Sequence, residues 1–207
     1  MEFHEPSQLA LQVRITFDGI DPPIWRQLLL PKDLNFAQLH EVIQAAFGWT
    51  DSHLHQFVVG GLVVGAPEFD ADGFSEHQTF EATTVFLRDL DLYSIPSPRI
   101  LYLYDFGDGW RHWIDIEDVV PKKADEKYPV IIGGARHCPP EDVGGTGGYE
   151  EFLDAWRDPE HSDHKRMRQW AGKNFSPEAF DIEKTQKAID GALKRCRKGY
   201  RFRLARY

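Results

Sequence analysis

The segment Tyr102–Trp113, YLYDFGDGWRHW, sets Asp105, Asp108 and His112 within eight residues, among five aromatic rings. Carboxylates and imidazoles act as general acids, bases or metal ligands when a fold holds them together. A second group is Asp51, His53 and His55, an Asp-x-His-x-His pattern whose period of two would align the donors on one face of an extended strand. A third, Cys138, Glu141 and Asp142, stands just before the glycines 144, 145, 147 and 148. Hydrolytic metal sites combine fixed His and carboxylate ligands with an open water position. His53, His55 and His112 are therefore the candidate metal ligands, with Asp105, Asp108, Cys138, Glu141 and Asp142 as further donors.

Each of these residues also has a structural role to weigh. Asp105 and Asp108 can bond turn amides, and Gly107 and Gly109 allow the positive φ of a tight hairpin. Cys138 is a free thiol by default, since reactivity requires a depressed pKa. Glycine amides ahead of a helix can cradle an anion, but GGTGGY lacks the Gly-Lys-Ser/Thr ending of a phosphate loop. The high aromatic content, 13%, offers a different use: Trp25 with Arg26, Trp49 and Trp110 are candidate binding residues that would line a recognition groove.

The elements that must position these groups follow from periodicity. Leu9, Leu11, Val13, Ile15 and Phe17 alternate with polar or small residues, which predicts a half-buried strand. After Pro22-Pro23, Ile24–Leu30 predicts a second, with Trp25 and Arg26 on opposite faces. Asn35 and Gln38 form a capping box for a helix whose apolar stripe is Phe36, Leu39, Ile43, Ala46 and Phe47, ended by Gly48. His40, beside that stripe, is expected to be structural. Residues 54–59 and 62–64 predict a hairpin across Gly60-Gly61, residues 67–80 an exposed loop, and residues 83–87 a short strand.

The hairpin centred on Phe106-Gly-Asp-Gly comes next, with Trp110, His112, Ile114 and Ile116 on one face of its second strand. Helices are predicted from Tyr149, over residues 165–170, and from Asp181 onward. The expected architecture is α+β: a mixed or antiparallel sheet of hairpins packed against a few helices, with a helical C-terminal part, in one domain of residues 1–207.

Composition narrows the function classes. A net charge of −9 disfavours non-specific nucleic-acid binding over most of the surface. Lys194, Arg195, Arg197, Lys198, Arg201 and Arg203 form a basic C-terminal stretch that offers nucleic-acid contact, or simply complements a helix dipole. No apolar run is long enough to span a membrane, and the acidic start does not resemble a signal peptide, so a cytoplasmic protein with two reduced cysteines is expected.

Four segments carry a family resemblance: PPIWR (residues 22–26), LHEVIQAAFGWTDSHLHQF (39–57), YDFGDGWRH (104–112) and CPPEDVGGTGGYEEFL (138–153). In this order they resemble the Ri-plasmid ORF-3-like family, also labelled a transposon passenger protein of the TnpR type. The resemblance implies a compact α+β domain found on chromosomes, plasmids and mobile elements. It implies no activity or cofactor. Where the family pattern has a second Cys, this chain has Val143, so a Cys-x-x-x-x-Cys device would be half absent. Neither the Ser and Arg cluster of a serine recombinase nor the Tyr, Arg and His set of a tyrosine recombinase maps onto the chain. The expectation is a non-enzymatic binding or accessory module; the alternatives are a metal-assisted hydrolase or nuclease, and a DNA-contacting factor using the basic stretch.

Overall fold

The structure, a computed structural model, describes residues 5–66, 79–90 and 98–196. Strict alternation makes β1 (Leu9–Phe17) a strand with Leu11, Val13, Ile15 and Phe17 turned into the core. It pairs antiparallel with β2 (Trp25–Pro31) on one side and with β7 (Trp110–Pro121) on the other. β7 returns antiparallel along β6 (Arg99–Tyr104), which in turn pairs with β3 (His55–Val59). β4 (Leu62–Gly65), β5 (Thr79–Glu81) and β8 (Val130–Ala135) complete one eight-stranded sheet of order β5-β4-β3-β6-β7-β1-β2-β8. Only the β4/β5 pairing is parallel among the described residues, so the sheet is mixed and the fold is α+β.

Helix α1 (Phe36–Phe47) lies against the inner face of this sheet. Its N-terminus has the capping box read from sequence, Asn35 and Gln38 bonding each other's backbone amides at 2.8 and 3.1 Å. Gly48 closes it in the left-handed conformation. Helix α2 (Gly145–Arg157) starts earlier than Tyr149, because glycines supply its first turn. It is followed by α3 (His164–Ala171) and α4 (Ile182–Cys196), and α4 packs on α1 and β8.

One local expectation fails. Residues 83–87 are not a strand: a turn leads to an isolated bridge from Phe86 to Asn35 and then a short 3-10 turn at Leu87–Asp89. Ala82 and Leu87 are buried there, so core contact rather than strand pairing sets this segment. The loop expected over residues 67–80 lies outside the described residues except at 79 and 80, which belong to β5. Lys194 and Arg195 are exposed in the last turn of α4, whereas Arg197, Lys198, Arg201 and Arg203 lie outside the described residues. No described helix is long and apolar enough to cross a membrane.

Candidate functional site

The chemistry-bearing segments meet where β3 begins and β6 ends. Asp51 adopts a left-handed backbone (φ 57°), so the chain ahead of β3 is bent rather than extended. The row of donors expected from period-two spacing therefore does not form. His55 turns inward to join His40 and Asp51; His53 turns outward to join Asp105 and Asp142.

In the inner cluster both ring nitrogens of His40 are bonded. His40 is fully buried, with Nε2 at 2.8 Å from Asp51 Oδ1 and Nδ1 at 2.8 Å from Tyr102 Oη. A carboxylate only accepts, so Nε2 carries the proton and Nδ1 accepts from the tyrosine hydroxyl. Gln44 Nε2 donates to the same hydroxyl at 3.1 Å, and Gln44 Oε1 accepts from the Asp51 amide at 2.9 Å. His55 stacks flat on His40, ring centroids 3.4 Å apart. Burial holds the His40 pKa down to about 3 and lowers that of His55, whose neighbour His40 adds to the shift. Both rings are thus neutral at pH 7.

Tyr104 stands beside both clusters. Its ring stacks on Trp49 at 4.8 Å; its hydroxyl donates to Glu141 Oε1 at 2.7 Å and accepts from the Ser52 amide at 3.0 Å. Burial, and then the Glu141 carboxylate, raise its pKa, so it remains a phenol. Glu141 is held further by the Thr50 hydroxyl at 2.5 Å and the Thr50 amide, and Trp49 Nε1 donates to Pro139 O at 3.0 Å. The CPPED loop is thereby fastened to the chain just ahead of β3.

The outer cluster depends on the β6/β7 turn. Asp105 Oδ1 accepts from the amides of Gly107 (3.0 Å) and Asp108 (3.3 Å), which leaves Oδ2 directed at His53. His53 Nε2 lies 3.6 Å from that oxygen and 3.1 Å from Asp142 Oδ1. The Asp105 oxygen lies beyond hydrogen-bond distance and the Asp142 oxygen off the hydrogen-bond direction, and the nitrogen itself is shielded from solvent. Asp105 and Asp142 both have left-handed backbones, φ 54° and 59°. Asp tolerates this region better than most residues, but two such positions facing one imidazole are unusual.

The glycines bring the turn and the CPPED loop together. Asp108 Oδ2 accepts from the Gly144 amide at 3.1 Å. A Cβ on Gly145 would be driven into the Asp108 carbonyl oxygen, and one on Gly148 into that of Val143. Close backbone approach, not anion binding, explains these glycines. From Asp142 a groove of about 800 Å³ runs between α2 and α3. Phe152, Met167 and Trp170 supply its apolar surface, and Trp170 is 47% exposed. Glu151, Asp154 and Asp163 line it as acids and Arg166 as a base; Arg166 is paired with Asp163 at 3.1 Å. His164 Nδ1 donates to Ala155 O at 2.9 Å and ties α3 to α2.

The remaining candidates lie elsewhere. His112 faces inward from β7, fully buried between Phe17 (ring centroids 4.1 Å apart), Tyr102 (5.3 Å), Phe47 (5.3 Å) and Trp49 (5.4 Å). Neither ring nitrogen has a partner of good hydrogen-bond geometry among the described residues, and burial, opposed in part by the Tyr102 backbone, holds its pKa down to about 3. It shares neither carboxylate cluster. Trp110 is core, 1% exposed, and Trp49 is buried as well. Arg26 is buried with its donors spent on backbone carbonyls: Ala46 at 2.8 Å, Trp25 at 2.8 Å, Ala135 at 3.0 Å and Arg136 at 2.9 Å. Desolvation brings its pKa down to about 10. It therefore clamps the end of α1 to β8 rather than meeting a ligand. Trp25, on the opposite face, is covered by Arg14 at 3.8 Å. The Cys138 thiol is buried, which pushes its pKa well up, so it is no thiolate at neutral pH.

Sequence reasoning treated His40 as isolated, because nothing local links it to Asp51 and Tyr102. It also missed the groove. The available signal was Trp170, a large apolar residue in the otherwise polar helix HKRMRQWA.

Residues 9–184 match the model of the plasmid pRiA4b ORF-3-like protein family, and all four resembling segments fall inside that span. The chain belongs to the plasmid pRiA4b ORF-3-like family. Among its relatives, the uncharacterized protein y4hQ of Sinorhizobium fredii (strain NBRC 101917 / NGR234) is 37% identical over 195 residues, which cover 93% of this chain and 97% of that protein. The crystal structure of MM3350 from Methanosarcina mazei Go1, a protein of unknown function, superposes on this family member with a TM-score of 0.75 and 32% identity. That match covers 85% of this chain and 96% of the other.

Proposed function

We propose that this protein is a non-enzymatic binding module that takes a cationic peptide segment in the groove between α2 and α3. The supporting observation is the groove itself: an exposed indole and a half-buried thioether lie beside Glu151 and Asp154, which have no basic partner within 4 Å among the described residues. Apolar surface with a few convergent charges is the usual composition of a ligand site. Lys or Arg side chains suit it, because their stems pack on apolar surface while their heads reach the acids.

A hydrolase needs a reactive group with freedom to act. Here the Cys138 thiol and the Tyr104 phenol are held neutral, and Glu141 is committed to Tyr104 and Thr50. These restraints count against catalysis by the thiol, the phenol or Glu141 and favour binding in the groove.

Fluorescence anisotropy with labelled peptides, in the presence of chelator, tests the assignment. A Lys/Leu peptide should bind saturably and more weakly as salt rises, and its acidic counterpart should not bind. The double substitution Glu151→Lys and Asp154→Lys should weaken binding at least about 10-fold, which is about 1.4 kcal/mol. Equal binding of the acidic peptide, or none of the basic one at low salt, would refute the groove as a cation-selecting site.

A further inference from the structure

We infer that His53, Asp105 and Asp142 form a binding site for one first-row divalent cation of the zinc or manganese type. The inference stands apart from the groove's occupant, although Asp142 borders both. Its first support is spacing. Ligand atoms bound at about 2.1 Å to one ion lie roughly 3.0–3.4 Å apart in octahedral or tetrahedral shells. His53 Nε2 is 3.1 Å from Asp142 Oδ1 and 3.6 Å from Asp105 Oδ2, and all three donor atoms lie within 4.8 Å of one another.

Direction is the second support. At such distances an imidazole N–H would ordinarily point at one oxygen, yet Nε2 is shielded from solvent and makes no hydrogen bond of acceptable angle. A lone pair facing the space between two carboxylates is the arrangement that a cation requires. The third support is outer-shell order. The Asp105 carboxylate is oriented by two turn amides, and the loop carrying Asp142 is anchored by the Gly144 amide on Asp108 and by Glu141 on Tyr104. Left-handed backbone at both aspartates turns their side chains to the common point. Two carboxylates brought this close repel each other unless positive charge lies between them.

The donor set selects the class of ion. One imidazole with two carboxylates lacks the soft sulfur donors that select copper(I) and the many oxygens of a calcium cage, whereas it suits zinc or manganese. Three protein donors leave at least one position for water. The inner cluster is the poorer site, because both His40 nitrogens are already hydrogen-bonded.

The full chain, stripped with chelator, should be dialysed against zinc or manganese and its metal content measured. One equivalent is expected to bind, with a rise in Tm. His53→Ala and Asp142→Asn should each lower the affinity by about 100-fold or more, since loss of outer-shell partners alone costs 10- to 100-fold. Asp142 is exposed, so Asp142→Asn keeps the fold and decides the matter if His53→Ala does not. Asp51→Asn should retain the ion. No bound metal, binding unchanged in Asp142→Asn, or loss confined to Asp51→Asn would each overturn the assignment. Peptide binding in chelator is read separately, so failure of one proposal is distinguishable from failure of the other.

Discussion

Two histidine and carboxylate clusters flank Tyr104, and their histidines, His53 and His55, are only two residues apart. Both clusters have the same kinds of side chain. In the inner one, every polar atom of His40 is matched: Asp51 accepts, Tyr102 donates, and Gln44 closes the ring. In the outer one, Asp105 and Asp142 converge on His53 at contact distance without a directed hydrogen bond. An imidazole bonded at both nitrogens, like His40, adds rigidity and a single conformation, whereas one left without a directed bond between two carboxylates can take up a ligand. Residue type alone therefore does not separate a structural His and Asp pair from a binding one; saturation and access do.

Acid should break the inner region first, and with the largest effect. His40 and His112 are neutral in the fold, at about 3, against an ordinary value near 6.5 in the unfolded chain. The unfolded state thus binds more protons below pH 6.5. Stability is complete above that value and is lost as pH falls towards 3. His40 and His112 together give a slope of about 3 kcal/mol per pH unit in the middle of this window, and His55, whose pKa burial also lowers, steepens it. Urea unfolding in chelator at pH 7 and pH 5 measures it, and a flat profile would contradict the neutral assignment. His112 has no carboxylate beside it, so His112→Phe should remove its share of the slope.

Substitution sharpens the contrast. His40→Ala removes the acceptor of the Tyr102 hydroxyl and the ring donor to Asp51 and opens a void in the core, so a loss of about 3 kcal/mol is expected. Asp142→Asn, at an exposed position, should change stability by less than about 0.5 kcal/mol. Comparable losses from both would mean that the two clusters are equally structural.

The junction between turn and loop gives a smaller effect. Gly145→Ala places a methyl group against the Asp108 carbonyl at a positive φ, for a cost of about 2 kcal/mol. It should also weaken metal binding, because it separates Asp105 from Asp142. An unaltered metal affinity would show that the loop reaches the cluster by another route.

Much of the architecture was legible locally. Period-two alternation in β1 and β7, the Asn35 and Gln38 capping box, and the Phe106-Gly-Asp-Gly turn are short-range signals, and each is present. The inward set Trp110, His112, Ile114 and Ile116 was likewise correct, with Ile116 only partly buried against the core, since a pleated strand admits only two faces. Residues 83–87 failed because a bridge to Asn35 and burial of Leu87 override strand propensity.

The site was only half legible. Composition and spacing singled out His53, Asp105 and Asp142, but they also offered His112, Cys138, Arg26 and Trp110, which the core absorbs. The amino-acid sequence by itself determined the strands, the capped helix, the turn chemistry and the family. Tertiary structure decided which donors meet. A left-handed Asp51 and a bend at His53 precede β3, so His53 and His55 face different sides, and glycines 144 and 145 let a loop more than thirty residues downstream close on the β6/β7 turn. Local periodicity cannot encode such meetings, because they depend on backbone reversals and on contacts distant in sequence.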